Sequence, residues 1–166
     1  KKIMELGSIT DTKQERVFLL STTHGAEMNG LSAFIETVKF LKKNNVIKQN
    51  WNYGSKLIKE SNKISKKIGI LDYFNFSGIA CSPFFNCLDN NKNNSLEFRT
   101  LFIQEMLKYN ILMPWISISF RHNDKTLKKT LVALEKTLYV YKNALKFGVN
   151  KYLKGHVIKP VFRRFN

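Results

Sequence analysis

Cysteine, proline, glycine and acidic residues are all scarce in this sequence, and no apolar run in it is long. The 166 residues include two cysteines, three prolines and eight glycines. Two cysteines exclude a disulfide-dense scaffold. Cys81 and Cys87 stand six apart in a Phe-rich stretch. A disulfide between them is formally open, and buried thiols in a reducing cytoplasm are the expectation. No second Cys/His pair stands at metal-ligand spacing, so no metal site is expected. No apolar stretch approaches the roughly 20 residues that span a bilayer, so no membrane partner is expected. The opening Lys1-Lys2-Ile3-Met4 has no charged-then-apolar signal pattern, and without an initiator Met it reads as a fragment or a processed piece. Repeats and low-complexity tracts are missing too.

The scarcity of acid has its counterpart in an excess of base. Twelve Asp and Glu face 28 Lys and Arg, a formal net charge of +16. Such a balance raises nucleic acid or an anionic surface as partners. The cations are mostly lysine, however, and Lys42-Lys43, Lys66-Lys67 and Lys128-Lys129 are far apart on helical patterns that need solvated faces. The joint richness in Lys, Asn, Ile and Phe is what an AT-rich coding sequence gives. Diffuse solvated charge is therefore expected rather than a nucleic-acid site, which would want clustered arginine with interleaved aromatics.

Hydrophobic residues make up 43% and aromatics 13%, enough for a globular chain with a real core. Residues 1–6 read as a helix end closed by Gly7, 8–15 as a loop, and Arg16–Leu20 as a short buried strand. From Glu27 to Lys43, the positions Met28, Leu31, Ile35, Val38 and Leu41 recur at helical spacing. The small Gly30, Ser32 and Ala33 would let another backbone approach. Asn44-Asn45 breaks this helix and marks a domain boundary.

A second helix is expected over Ile47–Ile68, with Ile47, Trp51, Leu57, Ile64 and Ile68 on one face and Gly69 as its stop. Leu71–Leu88 reads as two antiparallel strands, and Asp89–Asn94 as a polar loop without a catalytic pattern. Ser95 caps a helix over Leu96–Lys108, with Phe98, Phe102, Met106 and Tyr109 inward. Ile111–Met113 and Ile116–Phe120 read as short strands around Pro114. Asn123 or Asp124 caps a last long helix in which Leu127, Leu131, Leu134, Leu138, Tyr141 and Leu145 step by three and four. A coiled coil and a helix covering a small sheet both fit that pattern. The basic aromatic tail, Pro160–Phe165, suits RNA or packing on a partner subunit.

One stretch carries chemistry: Ser21-Thr22-Thr23-His24-Gly25-Ala26-Glu27, between the apolar Val17–Leu20 and the first long helix. Hydroxyls and a glycine at a helix start offer free backbone N–H groups to a phosphate. A plain cap by Thr23, with Gly25 relaxing the bend, is the competing reading.

Val17–Glu27 resembles the segment that follows the catalytic lysine in class III pyridoxal-phosphate aminotransferases, above all the glutamate-1-semialdehyde aminomutase-like branch, with its Ser-Thr-Thr-x-Gly-Gly-Glu run. Met113-Pro-Trp-Ile-Ser-Ile-Ser-Phe-Arg-His-Asn-Asp124 is similar to that family's late passage of proline, strand, histidine and helix. The resemblance covers about Lys1–Phe147. It implies an α/β fold with an α+β C-terminal domain: residues 1–45 as the end of the large cofactor-binding domain, and 46–166 as a small domain of antiparallel strands packed with helices. It also implies a homodimer binding pyridoxal 5'-phosphate, with Thr23 (or Thr22) reaching the phosphate of the neighbouring subunit and Ser21 and Gly25 shaping the loop. His24, Trp115 and Arg121 fall where a small amino-acid or amino-sugar-like substrate would lie. The lysine that carries the cofactor falls upstream of Lys1 by this resemblance, so these residues alone are expected to be inactive. The aminomutases have a longer, glutamate-bearing segment where Pro114-Trp115 runs straight into Ile116 in this chain, which leaves transaminase and mutase both open. A nucleic-acid module and a noncatalytic interaction domain derived from the enzyme remain as alternatives.

Overall fold

A computed structural model of the chain describes residues 27–159. The expected strand at Arg16–Leu20, the Ser21–Gly25 loop and the Pro160–Phe165 tail lie outside the described residues. The chain separates into two compact units at Asn44–Asn45.

In the first unit the described residues form one helix, α1 (Met28–Lys43). Its apolar positions recur as the sequence indicates, yet none of its residues is buried. An added Cβ on Gly30 would meet Glu27 Cβ at 4.0 Å, an ordinary contact.

The second unit begins at Asn45, held in the left-handed region (φ 50°) that Asn tolerates better than most residues. Helix α2 (Val46–Ile68) follows and ends at Gly69, whose φ of 82° suits a residue without Cβ. The Gly69 N–H donates to Ser65 O and Lys66 O. The buried face of α2 differs from the one the apolar pattern indicates. Ile47 and Trp51 are exposed, while Tyr53, Gly54, Leu57, Ser61, Ser65 and Ile68 turn inward. Small residues win because a β-hairpin lies almost against the helix backbone. A Cβ on Gly54 would stand 1.6 Å from Ala80 O, well inside van der Waals contact.

That hairpin is β1 (Phe74–Ile79) and β2 (Ser82–Cys87), paired antiparallel with Phe76 opposite Phe85. Phe74, Phe76, Phe85 and Cys87 face the core, as a period of two requires. The Asn62 side chain clamps α2 to β1: its Oδ1 accepts from Phe76 N at 2.7 Å, and its Nδ2 donates to Phe76 O at 2.8 Å.

Helix α3 (Leu96–Leu107) starts at Ser95, whose hydroxyl accepts from Phe98 N. Helix α4 (Asp124–Phe147) starts at Asn123 with a reciprocal capping box to Thr126. A 3-10 turn, Val149–Lys151, follows. The core is aromatic. Phe102 stacks between Phe74 and Phe85, at centroid distances of 4.8 and 4.6 Å, and Phe98 lies 4.7 Å from Tyr141. The buried Tyr141 hydroxyl is directed at Leu88 O (2.7 Å) and Tyr73 O (3.2 Å), which settles its one polar atom. Helix α4 packs on α2 and α3 as a globular helix and reaches the hairpin through Tyr141. The expected strands Ile111–Met113 and Ile116–Phe120 are not seen: among the described residues this stretch joins no ladder. The sheet among the described residues is two-stranded, and the unit is a small α+β domain. No helix of the described residues is long and apolar enough to cross a membrane.

Replacement of Gly54 by Ala weighs two effects. Alanine gains about 1 kcal/mol of helix propensity. The clash with the Ala80 carbonyl falls at the top of the ~1–3 kcal/mol overpacking scale or beyond it, because backbone cannot swing aside. G54A is therefore expected to melt about 6 °C or more below the parent. G155A, where nothing stands within 4 Å of an added Cβ, is expected to change stability little. A G54A protein as stable as the parent would show that α2 and the hairpin turn are not in contact.

Candidate functional site

The stretch between α3 and α4 lines a concavity of the second unit. Asn110, at φ 57°, closes α3, and Ile111 N returns to Met106 O. Pro114 then keeps the chain from continuing as helix. Ile116 and Ile118 are half-buried and Ser117 and Ser119 exposed, the alternation of a strand, but side chains rather than a neighbouring strand hold the backbone. Arg99 Nη2 donates to Pro114 O at 2.6 Å while its guanidinium lies 4.6 Å over the Phe85 ring. Gln49 Nε2 donates to Phe120 O at 2.8 Å and to His122 O at 3.2 Å. The stretch ends in a turn in which His122 N donates to Ser119 O and Ser119 N donates to His122 Nδ1, each at 3.0 Å. An Nδ1 that accepts from a backbone N–H carries no proton, so the ring is the Nε2–H tautomer.

Between this stretch, Tyr53 and Leu57 of α2, and Thr130 of α4 lies a cavity of about 320 Å³. Trp115 stands at its mouth, 72% exposed. The Tyr53 and His122 rings pack at 5.2 Å and 42°. The lining is mostly apolar, Tyr53, Trp115, Ser117, His122 and Thr130 carry its polar side-chain atoms, and neither lysine nor arginine belongs to it. Such a slot can orient an organic ligand; it does not make a cradle for a phosphate dianion, which wants charge-assisted donors. Of the residues the sequence singles out, Trp115 lines this cavity. Arg121 is exposed, is not part of the lining, and makes no hydrogen bond or ion pair among the described residues. Ser21, Thr22, Thr23, His24 and Gly25 lie outside the described residues.

Two participants were not visible as such in the sequence, Tyr53 and Arg99; His122 is the histidine of the Met113–Asp124 passage. Gly54 in mid-helix is the signal that could have located Tyr53, and Arg99 stands out as an arginine in a lysine-rich chain. Among the described residues no group of three or more His, Cys, Asp or Glu could hold a metal ion. Cys81 and Cys87 are both free thiols. Burial pushes the Cys87 thiol up to about 12, and the neighbouring Arg99 offsets only part of that. Cys87 is thereby excluded as a thiolate nucleophile near neutral pH.

No protein-family model matches the chain, and no solved structure matches it. The sequence is similar to the 3-aminobutyryl-CoA aminotransferase of Cloacimonas acidaminovorans (strain Evry), 25% identical over 134 residues, covering 79% of this chain and 32% of that protein. The match supports an aminotransferase relationship. The chain spans about a third of the length of that relative, and its small α+β domain is compatible with the C-terminal domain of an aminotransferase.

The raised Cys87 value gives a signed expectation. The unfolded thiol ionises near its ordinary 9.0, while the folded one stays neutral up to about 12. Its contribution to stability is therefore whole below pH 9.0 and is lost as pH rises through that window. Thiol titration at pH 8 is expected to label the half-exposed Cys81 promptly and Cys87 only after denaturation. Equal rates at the two sites would contradict the burial.

Proposed function

We propose that this chain is the C-terminal part of a pyridoxal-phosphate-dependent aminotransferase that works as a homodimer. Residues 1–45 end the large cofactor-binding domain, and residues 46–166 form the small domain that closes the substrate site. The similarity over 134 residues to an aminotransferase carries this reading. The α+β architecture of the second unit agrees with it, as does the resemblance of Val17–Glu27 to the class III enzymes. Transamination is favoured over a mutase reaction, because the relative's name is that of a transaminase and because Pro114-Trp115 runs straight into Ile116.

Bound pyridoxal phosphate supplies an electron sink at the substrate carbon. The chain's own residues bind and orient. The Thr23 hydroxyl and backbone N–H donate to the cofactor phosphate of the neighbouring subunit, with Thr22, Ser21 and Gly25 shaping that loop and His24 on the substrate side. Trp115 covers the substrate and excludes water. Arg121 holds a carboxylate through its two-pronged guanidinium. Arg99 and Gln49 fix the Ile111–His122 wall through backbone carbonyls, so they position the site without touching substrate.

The lysine that takes the substrate proton lies upstream of Lys1 in this reading. Residues 1–166 mixed with pyridoxal phosphate and a panel of amino acids are then expected to give no half-reaction by cofactor absorbance. Orientation alone contributes about 7–11 kcal/mol to such steps, and exposed lysines supply none of it. Joined to a family N-terminal part that carries the lysine, the chain is expected to regain turnover. In that joined protein T23A weakens cofactor retention by about 1–3 kcal/mol, the scale of a lost hydrogen bond to a charged group. Stoichiometric conversion by the isolated chain, or unchanged cofactor affinity in T23A, would overturn the respective assignment.

A further inference from the structure

The described lysines are not spread evenly. Four of them, Lys108, Lys125, Lys128 and Lys129, line one cavity of about 540 Å³ between the end of α3 and the first turns of α4. Tyr109 and Val132 contribute apolar surface to it. Outside the lining, Lys136 Nζ lies 5.4 Å from the centre of the Tyr109 ring. On α4, positions 125, 128, 129, 132 and 136 share one helical face.

The acidic groups nearby are paired, Glu105 with Lys108 itself. Helix α4 has two carboxylates. Asp124 pairs with Lys56 (3.1 Å) and Glu135 with Lys67 (2.8 Å), both toward α2. The hydrogen bond to Glu135 raises the Lys67 pKa. Glu105 takes Lys108 and the Gln104 amide. Lys125, Lys128 and Lys129 have no ion-pair partner among the described residues. Lysines three and four apart on one helix repel each other, a cost that an anion between them removes.

We propose that this cavity binds a small multiply phosphorylated anion with an aromatic or apolar portion, a nucleotide-like pyrophosphate. The phosphates take the ammonium groups, as charge-assisted donors favour. The Tyr109 ring and Val132 meet the apolar portion. The volume accommodates a ligand of that size, since small-molecule sites typically occupy about 300–1,000 Å³. The proposal stands apart from the aminotransferase reading, because binding is measured without turnover.

Calorimetric titration of residues 1–166 at about 0.15 M salt, where loose surface pairing is screened, tests it with three probes: inorganic pyrophosphate, ATP and coenzyme A. Saturable single-site binding is expected, with ATP or coenzyme A at least about tenfold tighter than pyrophosphate; the tighter of the two identifies the source of the phosphates. K128E/K129E is expected to weaken that binding about tenfold or more, and K59E/K66E, an equal charge change on α2, by less than about threefold. Thermal melts of both variants confirm that they fold. No saturation with any probe, equal affinity for all three, or the same loss in both variants would overturn the proposal.

Discussion

The carbonyl of Ala80 sits where a side chain on residue 54 would have to go, with only 1.6 Å between it and an ideal Cβ. Much of the second unit depends on that approach. With glycine at the contact, the hairpin turn lies against the backbone of α2. Asn62, two turns along, then reaches the Phe76 peptide and takes both its N–H and its carbonyl. Ser61 and Ser65 are buried on the same side. The approach also fixes one side of the candidate site. Ile118 Cδ1 crowds the same position at 2.8 Å, and the neighbouring Tyr53 packs on His122. A two-stranded ribbon is marginal alone; in this fold α2 clamps one edge while Phe98, Phe102 and Tyr141 cover its apolar face.

Charge is organised by the same packing. Most ion pairs among the described residues are exposed and contribute little each. Those between α2 and α4 take up both carboxylates of α4 and tie the two helices together. Lys142 Nζ donates to Ile68 O and so satisfies a carbonyl at the end of α2. A net charge of +16 in composition is thus partly structural and partly concentrated at one cavity.

Where local chemistry decides, the sequence was legible. Ser95 and Asn123 cap their helices, Gly69 stops α2, and the alternating phenylalanines of β1 and β2 pair as expected. Where a tertiary contact decides, it was not. Ile47 and Trp51 fit a helical stripe, yet the glycine and serines beside Leu57 face inward, because backbone proximity outweighs side-chain hydrophobicity there. Ile116 and Ile118 have the alternation of a strand but pair with none among the described residues; Arg99 and Gln49 instead hold the carbonyls of Pro114 and Phe120 at the two ends of that run. Of the candidate site, Trp115 and His122 were readable from one motif, whereas Tyr53 and Arg99 come from two separate helices that only the fold brings to it.

An aminotransferase keeps its cofactor on one amine, and the proposed function puts that amine upstream of Lys1. Borohydride reduction of this chain with pyridoxal phosphate, followed by peptide mapping, measures the point directly. Label scattered at low occupancy over exposed lysines is the predicted result, because a solvated amine is largely protonated near neutral pH. Stoichiometric label on a single lysine of this chain would contradict it.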